Sequence, residues 1–142
     1  MTIKTYLGFD VGTKRTGIAI ANSLTAQANG IATVIHNKDS STNWIQLEEI
    51  IKQHKPNQFI VGLPLDQDNK EQEMTYIAKS FGRKLEKRFS IGVIFVDEYL
   101  SSSEAKNQLK WHYAHKNADR GAVDKKSAEL ILQTWLNETT YD

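Results

Sequence analysis

Hydrophobic and polar positions follow two periods along this chain. Tyr6-Leu7-Gly8-Phe9-Asp10-Val11 and Thr16-Gly17-Ile18-Ala19-Ile20-Ala21 flank the turn Gly12-Thr13-Lys14-Arg15 and read as the two strands of an antiparallel hairpin. Ile31-Ala32-Thr33-Val34-Ile35 reads as a third strand. A helical period follows: Trp44, Leu47 and Ile51 stand at i, i+3 and i+7, and Pro56 ends that helix. Phe59-Ile60-Val61 is a short continuous apolar run, as in a strand covered on both faces. Met74, Ile77, Ala78, Phe81 and Leu85 then mark a long amphipathic helix, and Val93-Ile94-Phe95-Val96 another buried strand. Ser101 followed by Glu104 matches a capping box, whose helix carries Ala105 and Leu109 inward. Residues 115–121 lack periodicity and read as a mobile loop, and a last helix spans residues 122–137. Apolar strands alternating with helices predict an α/β fold with a mixed sheet, parallel in its second half.

Composition narrows the class. At 142 residues, with no repeat, low-complexity tract or linker, the chain reads as a single domain over residues 1–142, long enough to bury a core without staples. Cysteine is absent, which excludes disulfides and thiolate zinc sites. No signal-peptide pattern opens the sequence and no apolar run approaches the length of a membrane span, so a cytoplasmic protein is expected. A formal net charge of +1 does not announce a nucleic-acid partner. The distribution says more. Lys79, Arg83, Lys84, Lys87 and Arg88 crowd one segment, Lys106, Lys110, Lys116, Arg120, Lys125 and Lys126 another, and Glu48, Glu49, Asp66, Asp68, Glu71 and Glu73 form acidic groups. Taken singly, each of these lysines reads as a solvated surface residue.

Three carboxylates stand in unusual places. Asp10 lies inside an apolar strand, where a charge costs several kcal/mol unless it is paired or bound to a cation. By strand alternation it shares a face with Gly8 and Gly12, which leave space around it. Pairing with Lys14 or Arg15 is the bland alternative. Glu98 follows the apolar run 93–96, at the carboxyl end of a strand, where open α/β sheets bind ligands; an ordinary acidic loop start explains it equally well. Asp97 and Glu98 point to opposite sides if the strand continues, so one of them faces a site. Asp124 is in phase with Ala128, Ile131 and Trp135, so an apolar stripe begins with an acid; alone, it reads as a first-turn residue favoured by the helix macrodipole. Together the three suggest a two-metal site for Mg²⁺ or Mn²⁺, which prefer carboxylate oxygen. Two such ions, about 3.5–4 Å apart, activate a water and stabilise the leaving oxygen of a phosphodiester without a histidine or cysteine nucleophile.

The residues resemble a known family. Gly8-Phe9-Asp10-Val11-Gly12-Thr13-Lys14-Arg15-Thr16-Gly17-Ile18-Ala19 matches in full the opening G-x-D-x-G-x-K-R-x-G-x-A of the YqgF/RuvX family. Val61-Gly62-Leu63-Pro64 matches its V-G-L-P motif. Asp97-Glu98-Tyr99-Leu100-Ser101-Ser102 stands at its D-E-R-x-T-T, and Asp124 precedes Ser127-Ala128-Glu129-Leu130-Ile131-Leu132-Gln133 at its A-A-x-x-I-L-Q. Four motifs in order make the resemblance specific. It implies an RNase H-like fold, with a five-stranded mixed sheet whose first three strands are antiparallel and the rest parallel, flanked by helices. It also implies cytoplasmic nuclease activity in maturing the 5′ end of 16S ribosomal RNA, and the family's proposed catalytic acids fall on Asp10, Glu98 and Asp124. Tyr99 replaces the family arginine, where tyrosine would stack or hydrogen-bond instead of holding a phosphate by charge. Asp68-Asn69 replaces an Asp-Gly turn; asparagine tolerates left-handed geometry.

Lys14, Arg15 and Tyr99 are the expected nucleic-acid contacts, although Lys14 and Arg15 fit a solvated turn nearly as well. Gly62-Leu63-Pro64 reads as a cleft wall or as a strand terminator. Trp111, His112, Tyr113 and His115 mix aromatic and basic character, with packing the simpler explanation; His36 and His54 give no signal. The expected partners are structured RNA, ribosomal precursor particles or DNA junctions, with the protein a monomer or homodimer. Competing readings are a Holliday junction resolvase, which needs a dimer, and a non-catalytic RNA-binding module. Asp-x-Gly-Thr after a strand also resembles the phosphate loop of actin-like ATPases, for which one domain of this length is too short.

Overall fold

The alternating apolar runs of the first third of the chain close into an antiparallel meander of β1 (Thr5–Val11), β2 (Arg15–Asn22) and β3 (Asn29–Ile35). The two continuous apolar runs become β4 (Gln58–Pro64) and β5 (Val93–Glu98), which pair in parallel, β4 beside β1 and β5 beside β4. The sheet order is β3-β2-β1-β4-β5, the mixed five-stranded arrangement expected. These are the elements of a computed structural model that describes residues 2–66, 68–98 and 120–139. Tyr99, the capping box at Ser101 with its helix, the aromatic group at 111–115 and most of the expected loop lie outside the described residues.

Strand periodicity divides the core in two. Leu7, Phe9 and Val11 of β1, with Ile18, Val34, Phe59, Val61 and Leu63, face α1 (Trp44–His54) and α2 (Glu73–Phe89). This side is aromatic: Phe9 meets Phe59 and Phe81 edge-on, and Trp44 stacks on Phe81. The opposite side is small. Ala19, Ala21, Ala28 and Ile60 meet α3 (Arg120–Thr139) through Ala128, Ile131, Leu132 and Leu136, with Trp135 edge-on to Tyr6.

Local chemistry sets the helix ends. Asn43 caps α1 by accepting a hydrogen bond from the Gln46 N–H at 3.3 Å. Lys55, before Pro56, turns left-handed at φ 47° and returns its N–H to the Ile51 carbonyl, so the helix stops one residue before the proline is reached. At the start of α2 the Gln72 N–H donates to Thr75 Oγ1, and that hydroxyl donates to the Pro64 carbonyl, tying the helix to the end of β4. Asn69 takes φ 60°, the left-handed geometry anticipated for it.

Some expected boundaries and one helix face shift. β4 continues through Gly62, Leu63 and Pro64, because β5 pairs with all three. The buried face of α2 is Thr75, Ala78, Phe81, Gly82 and Leu85, leaving Ile77 38% exposed: the helix turns so that Gly82 can admit the Phe95 ring. α3 begins at Arg120, so Gly121 belongs to the helix instead of a loop.

Helix α3 lies almost against the strand backbones. A Cβ added at Gly8 would stand 2.8 Å from Leu132 Cβ, and one at Gly30 2.7 Å from the Lys125 carbonyl oxygen. Polar side chains of α3 complete the seat: Gln133 Oε1 accepts from the Ala28 N–H at 2.9 Å, Glu129 from the Gly30 N–H, and the Gly121 carbonyl from Thr33 Oγ1. Gly8→Val should therefore lift α3 and lower stability by about 1–3 kcal/mol. Urea unfolding with a wild-type midpoint would show that α3 does not rest on β1 there.

Candidate active site

Register brings the three predicted acids to one face and one end of the sheet. Asp10 sits near the end of the central strand, half-buried, directly opposite Gly17 of β2. Directly opposed residues of an antiparallel pair point to the same side, and Gly17 faces α3: a Cβ there would run into the Asp124 carbonyl oxygen. Asp10 therefore points toward α3, and the backbone of Asp124 covers its cross-strand neighbour. On the other flank, Phe9 pairs with Val61, which sets Gly62 alongside Asp10. Gly62 lies under the Glu98 carboxylate: a Cβ would stand 2.6 Å from Glu98 Oε2 and 2.7 Å from Ile131 Cδ1. Glu98 is only 4% exposed, whereas Asp97 is exposed, so of this pair it is Glu98 that faces inward.

The row Gly17–Asp10–Gly62 thus carries one acid in the strand and one acidic residue above each flanking glycine. Gly62 was expected as part of a cleft wall or as a strand terminator, and no role was expected for Gly17 under Asp124, since cross-strand adjacency depends on a register that only folding fixes. The glycine predicted to clear space beside Asp10 along the strand, Gly12, has another task. Its N–H donates to the Arg15 carbonyl at 2.8 Å and closes the hairpin.

Asp124 is the fifth residue of α3 and no acid lies in that helix's first turn, so capping does not explain it. Its charge is met by Arg15, whose Nε donates to Asp124 Oδ2 at 2.7 Å, with the two side chains 27% and 22% exposed. Arg15, expected as a phosphate contact, is here an internal partner of one of the acids. Lys14 is exposed in the turn. His36 holds that turn, although its sequence context gave no sign of it. Its Nδ1 lies 3.1 Å from the Thr13 carbonyl and its Nε2 3.0 Å from the buried Thr16 Oγ1. A carbonyl only accepts, so Nδ1 carries the proton and Nε2 accepts from the threonine hydroxyl in the neutral ring.

Three carboxylates are donors of the kind Mg²⁺ and Mn²⁺ take, and the glycine at 62 leaves room for the Glu98 carboxylate beside Asp10. Among the described residues, no three His, Asp or Glu side chains stand close enough together to hold an ion as they are placed, and Asp124 is turned to Arg15. The donor chemistry fits a divalent cation; a ligand set would need Asp124 to exchange its guanidinium for one.

The chain matches the RuvX family, described as Holliday junction resolvase, over residues 4–138. A protein of Aeromonas salmonicida named "putative pre-16S rRNA nuclease" is 40% identical over 138 residues, covering 97% of this chain and 98% of that protein. A protein of the same name from Saccharophagus degradans is 43% identical over 139 residues, covering 97% and 96%. RuvC of Thermus thermophilus, solved with a Holliday junction substrate, superposes with a TM-score of 0.57 at 12% identity over 96% of both chains. That likeness is one of fold, and the fold is RNase H-like. With the match running through every described strand and helix, the chain belongs to the RuvX family.

Proposed function

We propose that this chain is a nuclease that hydrolyses phosphodiester bonds in the 5′-end maturation of the 16S ribosomal RNA precursor. It works as one domain over residues 1–142, in the cytoplasm, on ribosomal precursor particles. The observation that carries the chemistry is the glycine-flanked row: an aspartate inside the central strand, with Glu98 over one neighbouring glycine and Asp124 over the other. The substrate follows from relatives of about 40% identity and from the family, whose members act on nucleic acid by name.

Asp10, Glu98 and Asp124 would hold Mg²⁺ or Mn²⁺. Such an ion supplies Lewis acidity and a more acidic bound water when present. The chain's own residues do the rest. Asp10, rooted in the innermost strand, fixes the reference point. Glu98, 4% exposed, holds its carboxylate in the space over Gly62 that a side chain at that position would fill. Arg15 holds the Asp124 carboxylate in place through its Nε, and with a cation on Asp124 its guanidinium would be available to a substrate phosphate beside Lys14. Tyr99 follows Glu98 directly and is assigned to the nucleic acid on sequence position alone.

Junction resolution is the second reading, favoured by the family description and the fold shared with RuvC. It requires a homodimer, whereas RNA trimming does not. Incubating the protein with precursor 16S RNA and with a four-way DNA junction, in Mg²⁺ and in Mn²⁺, separates the two; cleavage of the junction alone would reject the RNA reading.

Asp10→Asn should abolish divalent-ion-dependent cleavage, by at least about a thousandfold on the scale of a lost essential charge, with an unchanged unfolding midpoint. Wild-type turnover by that variant would remove Asp10 from the chemistry. Gly62→Ala tests the cradle. Its methyl would displace the Glu98 carboxylate, so cleavage should fall by about tenfold or more while the fold survives. Unchanged kcat and KM in Gly62→Ala would show that Glu98 need not sit where it does.

A further inference from the structure

Helix α2 turns a basic stripe to solvent. Its buried face is Thr75, Ala78, Phe81, Gly82 and Leu85; the opposite face carries Tyr76, Lys79, Ser80, Arg83, Lys84 and Lys87. From Glu73 to Phe89 the helix holds five basic and two acidic residues, net +3, whereas the whole chain is only +1, so the rest of the molecule is net acidic. The stripe is not an ordinary mixed surface laced with ion pairs. Lys79 pairs with Glu71 and lies 5.9 Å from the Tyr76 ring centroid, and Arg88 covers the Trp44 ring at 4.2 Å. Among the described residues, Arg83, Lys84 and Lys87 have no carboxylate within ion-pair distance. Tyr76, at their N-terminal end, is 60% exposed, a large aromatic ring kept in water.

A groove of about 670 Å³ leads from the hairpin turn to this stripe, lined among others by Gly12, Thr13, His36, Tyr76, Ser80 and Lys84. A second, of about 430 Å³, continues along the helix and shares Tyr76, Ser80 and Lys84 with the first. The path starts at Gly12 and Thr13, at the end of β1 that carries Asp10 but on the side of the sheet away from the acids, and runs down α2; Tyr76 to Lys87 alone spans about 16 Å at the helical rise. The first groove sets Glu73 against Lys84, whereas the second carries Arg83, Lys84 and Lys87 beside Tyr76; fixed positive charge next to an exposed ring is the arrangement that grips single strands, because phosphates meet the cations and any base can stack on the ring. Duplex cannot offer an open base face to Tyr76.

We propose that this path is a binding surface for single-stranded RNA flanking the scissile bond, which crosses the hairpin turn and lays its phosphates on Arg83, Lys84 and Lys87. The proposal rests on the nuclease reading for its substrate, and its test is separable from it. The probe is a labelled single-stranded RNA of about 15 nucleotides, titrated by fluorescence anisotropy at several salt concentrations without divalent cations. With Arg83, Lys84 and Lys87 all changed to Gln, affinity should drop at least tenfold, and the slope of log K against log salt should lessen by about 2, three lost contacts at roughly 0.7 each. Tyr76→Ala should weaken the single strand by about fivefold or more and leave a duplex RNA of equal length within twofold. Affinity and salt slope equal to wild type in the triple variant overturn the proposal; so does loss of binding to anionic phospholipid vesicles with RNA binding intact. If no RNA is cut under any condition but the variants lose binding as described, the nuclease reading fails and the surface stands. If wild type cuts and the variants bind and cut as well as it does, the surface fails and the nuclease reading stands.

Discussion

Helix α3 lies directly on strand backbone, and most of the site follows from that. Where Gly8, Gly17 and Gly30 stand under the helix, no layer of side chains separates it from the sheet. Close approach of this kind gains dispersion contacts and apolar burial for Ala128, Ile131 and Leu132 with little side-chain entropy to lose. It also leaves no slack. A methyl group at any of the three would collide with helix backbone or Cβ, so the rotation and height of α3 are set within a few tenths of an ångström. Asp124, one residue from Lys125 and directly above Gly17, inherits that precision.

The acids are then positioned by three independent devices. Asp10 is held by its own pairing with Gly17 of β2 and by the pairing of the preceding Phe9 with Val61 of β4. Glu98 is buried, with its carboxylate in the space left by the missing side chain of Gly62. Asp124 is held by the helix seat and by Arg15. The turn that delivers Arg15 is itself braced: the Gly12 N–H closes it on the Arg15 carbonyl, the His36 N–H donates to the Lys14 carbonyl, and the imidazole spans Thr13 and Thr16. A half-buried guanidinium–carboxylate pair gains from this bracing because little rotamer freedom remains to be lost when it forms.

How much of this could be read in advance differs by residue. Asp10 was legible because a charge inside an apolar strand is anomalous in one dimension. The mixed sheet was legible because apolar strands alternate with helices in the second half of the chain, while the first two runs are joined by a turn short enough for an antiparallel hairpin. Glu98 was legible only as one of two neighbours, and the strand's alternation chose between it and Asp97. Gly17 and Gly62 were not legible in their roles, since each matters for what lies across a ladder or above it, and neither relation is written in sequence spacing. Arg15 was read as a phosphate contact, a solvated turn residue or a partner for nearby Asp10; the partner it takes, Asp124, lies 109 positions away and could not be named from local chemistry. Of the buried face of α2, Ala78, Phe81 and Leu85 were legible, whereas Gly82, silent in an apolar pattern, was not, although it makes room for Phe95.

The two faces of the sheet divide the work, and one link couples them. The α3 face is thin and glycine-rich, which brings carboxylates near one another at the cost of a deep core. The α1/α2 face is thick and aromatic, which fixes α2 as a rigid body. Thr75 joins them: its hydroxyl donates to Pro64, the residue paired with Glu98 across β4 and β5. The first turn of α2 is therefore anchored to the same row of the sheet as the glutamate, and Tyr76, the next residue, is placed at the groove beside the hairpin turn. Disturbing the Thr75 anchor would shift the ring on one face and the β4 end beneath the carboxylate on the other together, so the proposed chemistry and the proposed RNA grip would be mechanically one unit even though no side chain belongs to both.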